Sequence, residues 1–498
     1  MDIEIKKEQI PLILIIALGI FFIYLASQTQ MLGEDEAFYY SLGKDFSEMK
    51  YPAFYGPNSP MVLMPFLPLV YAIPFAIFGA SLGLAKMIVA IFGILTMIIV
   101  YLIGKKTNFY YGLSAAFLLL SITLFTHFMF ISYQEVPIAF FSSLVTYMLL
   151  TTDSKKKSIL TGAVLALAFF TKQSALIFLP IIILYAIFIY LYKKDRKYLK
   201  FSFISVVVAI VLISPFVIRN IILYNYPYTQ LLNSIFTSPQ NVGWEGLTSR
   251  MLSPIMLSVG SYASSFGWLI VLSVIFGMSW FIVDVGSKNK ISKELFLFTL
   301  ISVVLLVSYY MFYILDVQIV EPRYIAIIFP QLSLIGGFFL WKLKEANKYF
   351  IIIIGLVLII SIYSSALTAY TTSVSQRYPA DYIQALTWLR QSTPNDSLIL
   401  TTYGGSVKYF AERDTIWNIK ELPTVMSSQD STYIYDIMEK YNVSYILVWR
   451  GVLGQDFIIP QSNLIGMFTY NFLNNVMNDT QNFNITYQNQ NNVIFKVL

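Results

Sequence analysis

Cysteine is absent from the 498-residue sequence, which removes disulfides, thiolate nucleophiles and cysteine-bound metals. A single histidine, His127, is present, too few for a histidine-built metal cage. Charge is scarce as well: 12% of residues are Asp, Glu, Lys or Arg, against 57% hydrophobic, and mean hydropathy is +0.67. A soluble chain of this length does not have that balance, so the sequence reads as a multi-spanning membrane protein. No Walker A loop, GxGxxG unit, HExxH pair or GxSxG elbow occurs, so nucleotide-driven transport has no support. The net charge of +6 is no nucleic-acid signature, because the lysines fall in short clusters between apolar runs, where they set membrane orientation.

What is there is a succession of apolar segments. Candidate spans are 10–28, 84–104, 110–126, 136–151, 159–171, 174–192, 201–218, 262–283, 295–315, 324–341 and 349–369. Basic clusters lie at Lys6-Lys7, Lys105-Lys106, Lys155 to Lys157, Lys193 to Lys200, Lys288 to Lys293 and Lys342 to Lys348. With these inside, every second loop is cytoplasmic and the C-terminus is outside. Met61–Ala80 breaks the scheme if it crosses. It carries Pro65, Pro68 and Pro74 after Pro60, so it reads as broken helices at or re-entering the outer interface. Lys86 reads as a snorkelling side chain. From 375 onward polar and apolar residues mix. Ala380–Arg390, Ser406–Ala411 and Thr432–Lys440 read as helices, and Ser397–Thr402 and Ser444–Trp449 as strands, which makes a small α/β domain. Four Asn-x-Ser/Thr sequons, at Asn395, Asn442, Asn478 and Asn484, agree with an external position.

The outer loops collect the residues with chemistry. Loop 29–83 holds Glu34, Asp35 and Glu36, with Tyr39, Tyr40, Tyr55 and Asn58 beside them. A carboxylate in an outer cavity can take a proton from an attacking hydroxyl; the plainer alternative is a solvated charge at a helix end. Glu135 precedes Pro137 at the start of a span, where a helix-dipole partner worth about 0.3–1 kcal/mol accounts for it equally well. Lys172 is the basic residue in a very short outer turn, and Arg323-Tyr324 stands at the mouth of a span. Both suit a phosphate, with snorkelling or a local ion pair as the alternatives. Arg219 is a weaker case of the same kind. His127 reads as an interfacial residue.

In order and on one side of the membrane, these pieces resemble the polytopic GT-C glycosyltransferases, the group of the protein O-mannosyltransferases and the lipid A aminoarabinose transferase. Asp35-Glu36-Ala37-Phe38-Tyr39 resembles the family's Asp-Glu-x-x-Tyr, and Glu135-Val136-Pro137 its second acidic position. Gly162 to Pro180, with Thr171-Lys172-Gln173, resembles its Gly…Thr-Lys-Gly…Pro segment, and Arg323-Tyr324 with Pro330 its Arg-Tyr…Pro segment. There are departures. Asn58-Ser59-Pro60 stands where relatives often carry Lys-Pro-Pro or His-Pro-Pro, Glu135 replaces Asp, and Gln173 replaces Gly. The Trp-Trp-Asp-Tyr-Gly signature of oligosaccharyltransferases is missing, which argues against en bloc glycan transfer.

The resemblance implies an α-helical polytopic membrane protein of about eleven spans plus interfacial helices. Residues 1–372 are the catalytic membrane domain and 373–498 an extracytoplasmic α/β domain. It implies an inverting enzyme that moves a sugar from a polyprenyl phosphate to a lipid, glycan or protein acceptor. Asp35 is then the general base, and Glu36 or Glu135 orients sugar or acceptor. Lys172, Arg323 and Arg219 hold the phosphate, and Tyr39, Tyr40, Tyr55, Asn58 and Tyr324 line the substrate cavity. A divalent cation is compatible with the acids, but no ligand spacing calls for one. The rival classes are a flippase for lipid-linked sugars and a non-catalytic assembly or sensor subunit. The spans, nearly free of charge at their centres, argue against the first.

Overall fold

The computed structural model describes residues 10–30, 33–50, 64–151, 154–224, 268–284, 322–375, 378–416, 430–449 and 470–498, with isolated positions between. The membrane part is helical: α1 (Ile10–Ser27), α2 (Glu34–Ser47), α3 (Phe66–Phe78), α4 (Leu82–Lys105), α5 (Phe109–Leu120), α6 (Thr123–Met129), α7 (Glu135–Leu149), α8 (Lys155–Thr171), α9 (Phe178–Lys193), α10 (Lys197–Tyr224), α11 (Trp268–Asp284), α12 (Phe329–Ala346) and α13 (Phe350–Ser375). Short 3₁₀ segments, Gln173–Ile177 and Pro322–Ile328, lead into α9 and α12.

Among the described residues five helices are long and apolar enough to cross a bilayer. Their surroundings differ in a way that lipid explains. In α4 61% of the apolar window is buried and in the window at 326–346 78%, whereas in α13 it is 17%. Ile352, Leu356, Ile359 and Ile360 of α13 are exposed, a face that is stable against hydrocarbon and costly against water. α4 sits centrally, packed on α1, α5 and α7. Ser81 caps it by accepting from the Leu84 N–H at 3.2 Å, which covers one of the donors a helix start leaves open.

Several expectations are refined. The segment 110–126 is not one straight span: α5 and α6 meet at a 70° bend. The carbonyls freed at the break find side chains, with Thr126 Oγ1 donating to Leu120 O at 2.6 Å and Ser365 Oγ of α13 to Ser121 O at 3.0 Å. A break at membrane depth is stable only with such replacement. α3 has 13 residues, about 20 Å at 1.5 Å per residue and too short to cross alone. α8 is longer than the apolar run 159–171, because Lys155 to Lys157 fold into its first turn under a Ser154 cap.

The C-terminal domain holds α14 (Ala380–Ser392), β1 (Leu398–Leu400), β2 (Asp414–Ile416), α15 (Ser431–Lys440), β3 (Tyr445–Trp449), α16 (Tyr470–Asn478), β4 (Phe483–Gln488) and β5 (Asn492–Val497). The five strands form one sheet in the order β2-β1-β3-β5-β4. β1 pairs in parallel with β2 and β3, while β5 runs antiparallel to β3 and β4. The expected helix Ser406–Ala411 is instead a short helical turn, Gly404–Ser406, followed by a wide turn, Val407–Ala411. All four sequon asparagines are exposed.

Candidate active site

The site is built on the first turn of α2, where a loop was expected. Gly33 precedes the helix with extended backbone (φ −166°, ψ 170°) and no side-chain cap. Three carboxylates in the first turn suit the positive helix end, and Ala37, Phe38, Tyr39 and Leu42 that follow are buried. An α-helix turns 100° per residue, so Glu34, Asp35 and Glu36 leave it in three directions, and each meets a different partner.

Asp35 faces an open cavity of about 360 Å³ lined by Glu34, Asp35, Tyr133 and Arg323. Its Oδ2 accepts from Arg323 Nη1 at 2.6 Å, and both side chains keep access to solvent, 40% for Asp35 and 24% for Arg323. The Arg323 guanidinium stands 5.6 Å from the centre of the Tyr133 ring, in reach of a cation–π attraction. Tyr133 presses so closely on the start of α2 that a Cβ at Gly33 would meet its hydroxyl at 2.6 Å. Burial holds the Tyr133 hydroxyl pKa well above its usual range, and the Asp35 charge adds to this while Arg323 opposes it.

Glu36 turns the other way, into the protein. Its Oε1 accepts from the Ser132 N–H at 2.8 Å and lies 3.3 Å from Lys86 Nζ, with both side chains fully buried. Lys86 also donates to Thr29 Oγ1 at 2.8 Å and to the Gln30 carbonyl. The snorkelling read for Lys86 is therefore corrected: the lysine stays inside because a carboxylate and two oxygens replace its water. Glu34 turns toward the C-terminal domain and accepts backbone N–H bonds from Gly405 and from Ser406, the latter at 3.1 Å. Burial outweighs these donors and pushes the Glu34 pKa up to about 8.

The remaining sequence-derived residues divide as follows. Glu135 opens α7 and accepts from Lys172 Nζ at 2.8 Å, the acid 4% and the lysine 16% exposed. Arg219 lies near the end of α10, half-buried and not among the residues lining the cavity. Tyr39 is buried. Tyr40 packs on Phe75 at 5.4 Å and on Tyr409 at 4.9 Å between ring centres, so both tyrosines support α2 rather than line the cavity. Tyr324 follows Arg323 in the 3₁₀ turn; Tyr55 and Asn58 lie outside the described residues. Glu34 and Tyr133 are the cavity residues that sequence reasoning passed over. The adjacency of Tyr133 to Glu135 was the available signal for one, and nothing local distinguished Glu34 from its acidic neighbours. Among the described residues no three Asp, Glu or His side chains converge on one point. The three acids of α2 point apart, so they do not form a ligand set for a divalent cation.

Residues 58–218 match the family described as dolichyl-phosphate-mannose-protein mannosyltransferase. Two curated relatives are similar over short segments. One is the dolichyl-diphosphooligosaccharide–protein glycosyltransferase subunit STT3B of Oryza sativa subsp. japonica, 38% identical over 85 residues. The other is the corresponding stt3 subunit of Schizosaccharomyces pombe, 34% identical over 106 residues. The segments cover 15% and 18% of this chain and only 12% and 14% of those relatives. Among solved structures, ArnT from Cupriavidus metallidurans bound to undecaprenyl phosphate superposes with a TM-score of 0.64 at 13% identity, over 97% of each chain. The Archaeoglobus fulgidus oligosaccharyltransferase in complex with Zn and sulfate superposes with 0.63 at 14% identity, over 88% of this chain and 68% of that one. Residues 58–218 are thus similar to the protein mannosyltransferase family, and the chain as a whole shares its fold with ArnT and with the archaeal oligosaccharyltransferase.

Proposed function

We propose that this protein transfers a sugar from a polyprenyl-phosphate donor to an acceptor at the outer membrane face, with inversion at the anomeric carbon. The observation that carries the reading is the Asp35–Arg323 pair in an open cavity, a proton acceptor beside a phosphate-binding cation. That ArnT was solved with undecaprenyl phosphate bound supports a lipid phosphate of this class for the fold.

At rest the guanidinium is tied to Asp35. An arriving donor phosphate competes for it, because a guanidinium binds a phosphate through paired N–H bonds. Asp35 is then released to accept the proton of the acceptor hydroxyl. The hydroxyl oxygen attacks the anomeric carbon, the bond from that carbon to the phosphate oxygen breaks, and the polyprenyl phosphate leaves with its charge held by Arg323. Lys172, held by Glu135, is the second phosphate cation in this scheme, and Arg219 a third at greater remove. Glu36 acts through the scaffold: its bonds to Lys86 and Ser132 anchor the turn that carries Asp35.

The orientation belongs to the same proposal, with the basic clusters inside and the C-terminal domain outside. The natural lack of cysteine makes thiol labelling a clean check, and labelling of Lys105→Cys from outside intact cells would sink it. The function is tested by incubating the purified protein with radiolabelled polyprenyl-phosphate sugars and lipid, glycan or peptide acceptors. Transfer that disappears in Asp35→Asn is expected. Movement of lipid-linked sugar across vesicles without transfer would replace the enzyme with a transporter.

A further inference from the structure

We infer that the C-terminal domain positions Asp35, by gripping the neighbouring Glu34 with the turn Gly404–Ser406. The inference rests on Asp35 as the base and adds the device that aims it. Asp35 has an anchored residue on each side. Glu36 is fixed from within the bundle by Lys86 and Ser132. Glu34 is fixed by the backbone N–H groups of Gly405 and Ser406, some 370 residues further along the chain. With both neighbours held, the backbone of α2 is fixed and the Asp35 Cα–Cβ bond points into the cavity, where the carboxylate meets Arg323.

The grip is close enough to demand glycine. A Cβ on Gly405 would meet the Glu34 carbonyl oxygen at 2.7 Å, the Phe38 nitrogen at 2.9 Å and Glu34 Oε1 at 3.0 Å, so any larger residue displaces α2. The turn itself is held from two sides. Tyr382 of α14 shares a hydrogen bond with Ser406 Oγ at 2.8 Å, and Thr415 of β2 donates to the Gly404 carbonyl at 3.3 Å. Further contacts extend along α2. Lys408 bridges Asp45 at 2.6 Å and Asp414 at 2.9 Å, with Lys408 11% and Asp45 10% exposed. Tyr40 meets Tyr409 edge to face, and Lys44 approaches Glu412 at 4.0 Å. A 14-residue helix without a side-chain cap is marginal by itself, and these contacts give it a fixed place. Gly405 and Lys408 are positioning residues outside the cavity lining, and Glu34, which does line it, acts here by holding the first turn of α2 in place.

The test uses the full-length protein and three variants. Glu34→Ala removes the acceptor, Gly405→Ala pushes α2 away, and Glu34→Gln keeps an oxygen for the N–H groups. Misplacing a reacting group by about 1 Å costs up to roughly a hundredfold. The expected result is a kcat about tenfold to a hundredfold lower in Glu34→Ala and Gly405→Ala, with donor Kd near the wild-type value and most of kcat restored in Glu34→Gln. A second readout needs no transfer. In the cysteine-free chain, Asp35→Cys gives a single thiol whose alkylation rate reports its setting, and adding Gly405→Ala or Glu34→Ala should change that rate severalfold. Should Gly405→Ala not fold, Glu34→Ala carries both readouts. Wild-type kcat and an unchanged alkylation rate overturn the inference, and so does a Glu34→Gln as impaired as Glu34→Ala. A wild-type protein that transfers no sugar, but whose alkylation rate responds, removes the enzymatic reading and leaves the positioning in place.

Discussion

Asp35→Asn should do two opposite things at once: slow the chemistry and tighten the donor. The carboxylate at 2.6 Å from the guanidinium has a double role in the proposed scheme, as the base during reaction and as the competitor of the phosphate before it. Without the base, turnover falls by roughly 10²–10⁴. Without the negative charge, Arg323 no longer has to be drawn from an ion pair. The bare Coulomb attraction of two charges about 4 Å apart is near 4 kcal/mol at a surface-like dielectric, but the pair is 40% and 24% exposed, so solvent screens most of it. Exposed pairs contribute about 0.2–1 kcal/mol net; recovering up to about 1 kcal/mol tightens donor Kd by as much as about fivefold. Single-turnover transfer at saturating donor gives the first number, and equilibrium binding of a non-hydrolysable polyprenyl-phosphonate sugar gives the second. An Asp35→Asn variant that binds donor more weakly than wild type would show that Asp35 holds the donor rather than competing with it. Turnover within about threefold of wild type would refute the base outright.

Three further outcomes are expected. Glu36→Gln or Lys86→Met alone leaves its partner as an uncompensated buried charge and should lower stability by about 3–5 kcal/mol; the double variant recovers most of it, as thermal unfolding in detergent would record. Lys172→Ala should raise donor Kd about tenfold through a lost charge-assisted contact and also destabilise the start of α7, where Glu135 is left nearly buried; Glu135→Gln in the same chain restores the stability but not the donor affinity. Docking of the C-terminal domain should weaken as pH rises from about 4.5 to about 8. The Glu34 pKa is raised from 4.5 to about 8 in the folded protein, so the folded state holds a proton there that the unfolded state has lost, and stability declines across that window. Tyr378, Tyr382 and Tyr403 across the contact have raised pKa values and stay neutral in this window, while burial also raises the Asp45 carboxyl at the same contact, so Asp45 adds to the decline that Glu34 produces. Glu34→Gln should flatten the pH dependence of thermal unfolding between about pH 5 and 8, and an unaltered profile would contradict the assignment.

The helices of the described membrane part were legible because long apolar runs are strong, local signals, whereas most of the expected span 295–315 lies outside the described residues. The 70° break after Leu120 was not, since the Thr126 and Ser365 hydroxyls that satisfy it are invisible until the fold brings them there. Asp35 and Arg323 could be chosen from sequence, and the structure brings them together across 288 positions. Lys86 was misread because an isolated lysine in an apolar run has snorkelling as its cheapest fate until a buried carboxylate is known to face it. In the C-terminal domain α14, α15, β1 and β3 were readable, whereas β2, α16 and the β4–β5 hairpin were not, because short and Asn-rich segments carry too little periodicity.

The fan of three acids on α2 also bears on how such chains should be aligned. Glu34, Asp35 and Glu36 are chemically near-interchangeable as letters, so a one-position slip scores almost as well as the true match. On the helix that slip is a 100° rotation, and it exchanges an interdomain acceptor, a cavity carboxylate and a buried counter-ion with one another. The functional identity of an acid here resides in its azimuth, and two chains can share the same acidic letters while placing them on different jobs. Homologous positions in this turn are better assigned by which neighbour each side chain faces than by the letters themselves.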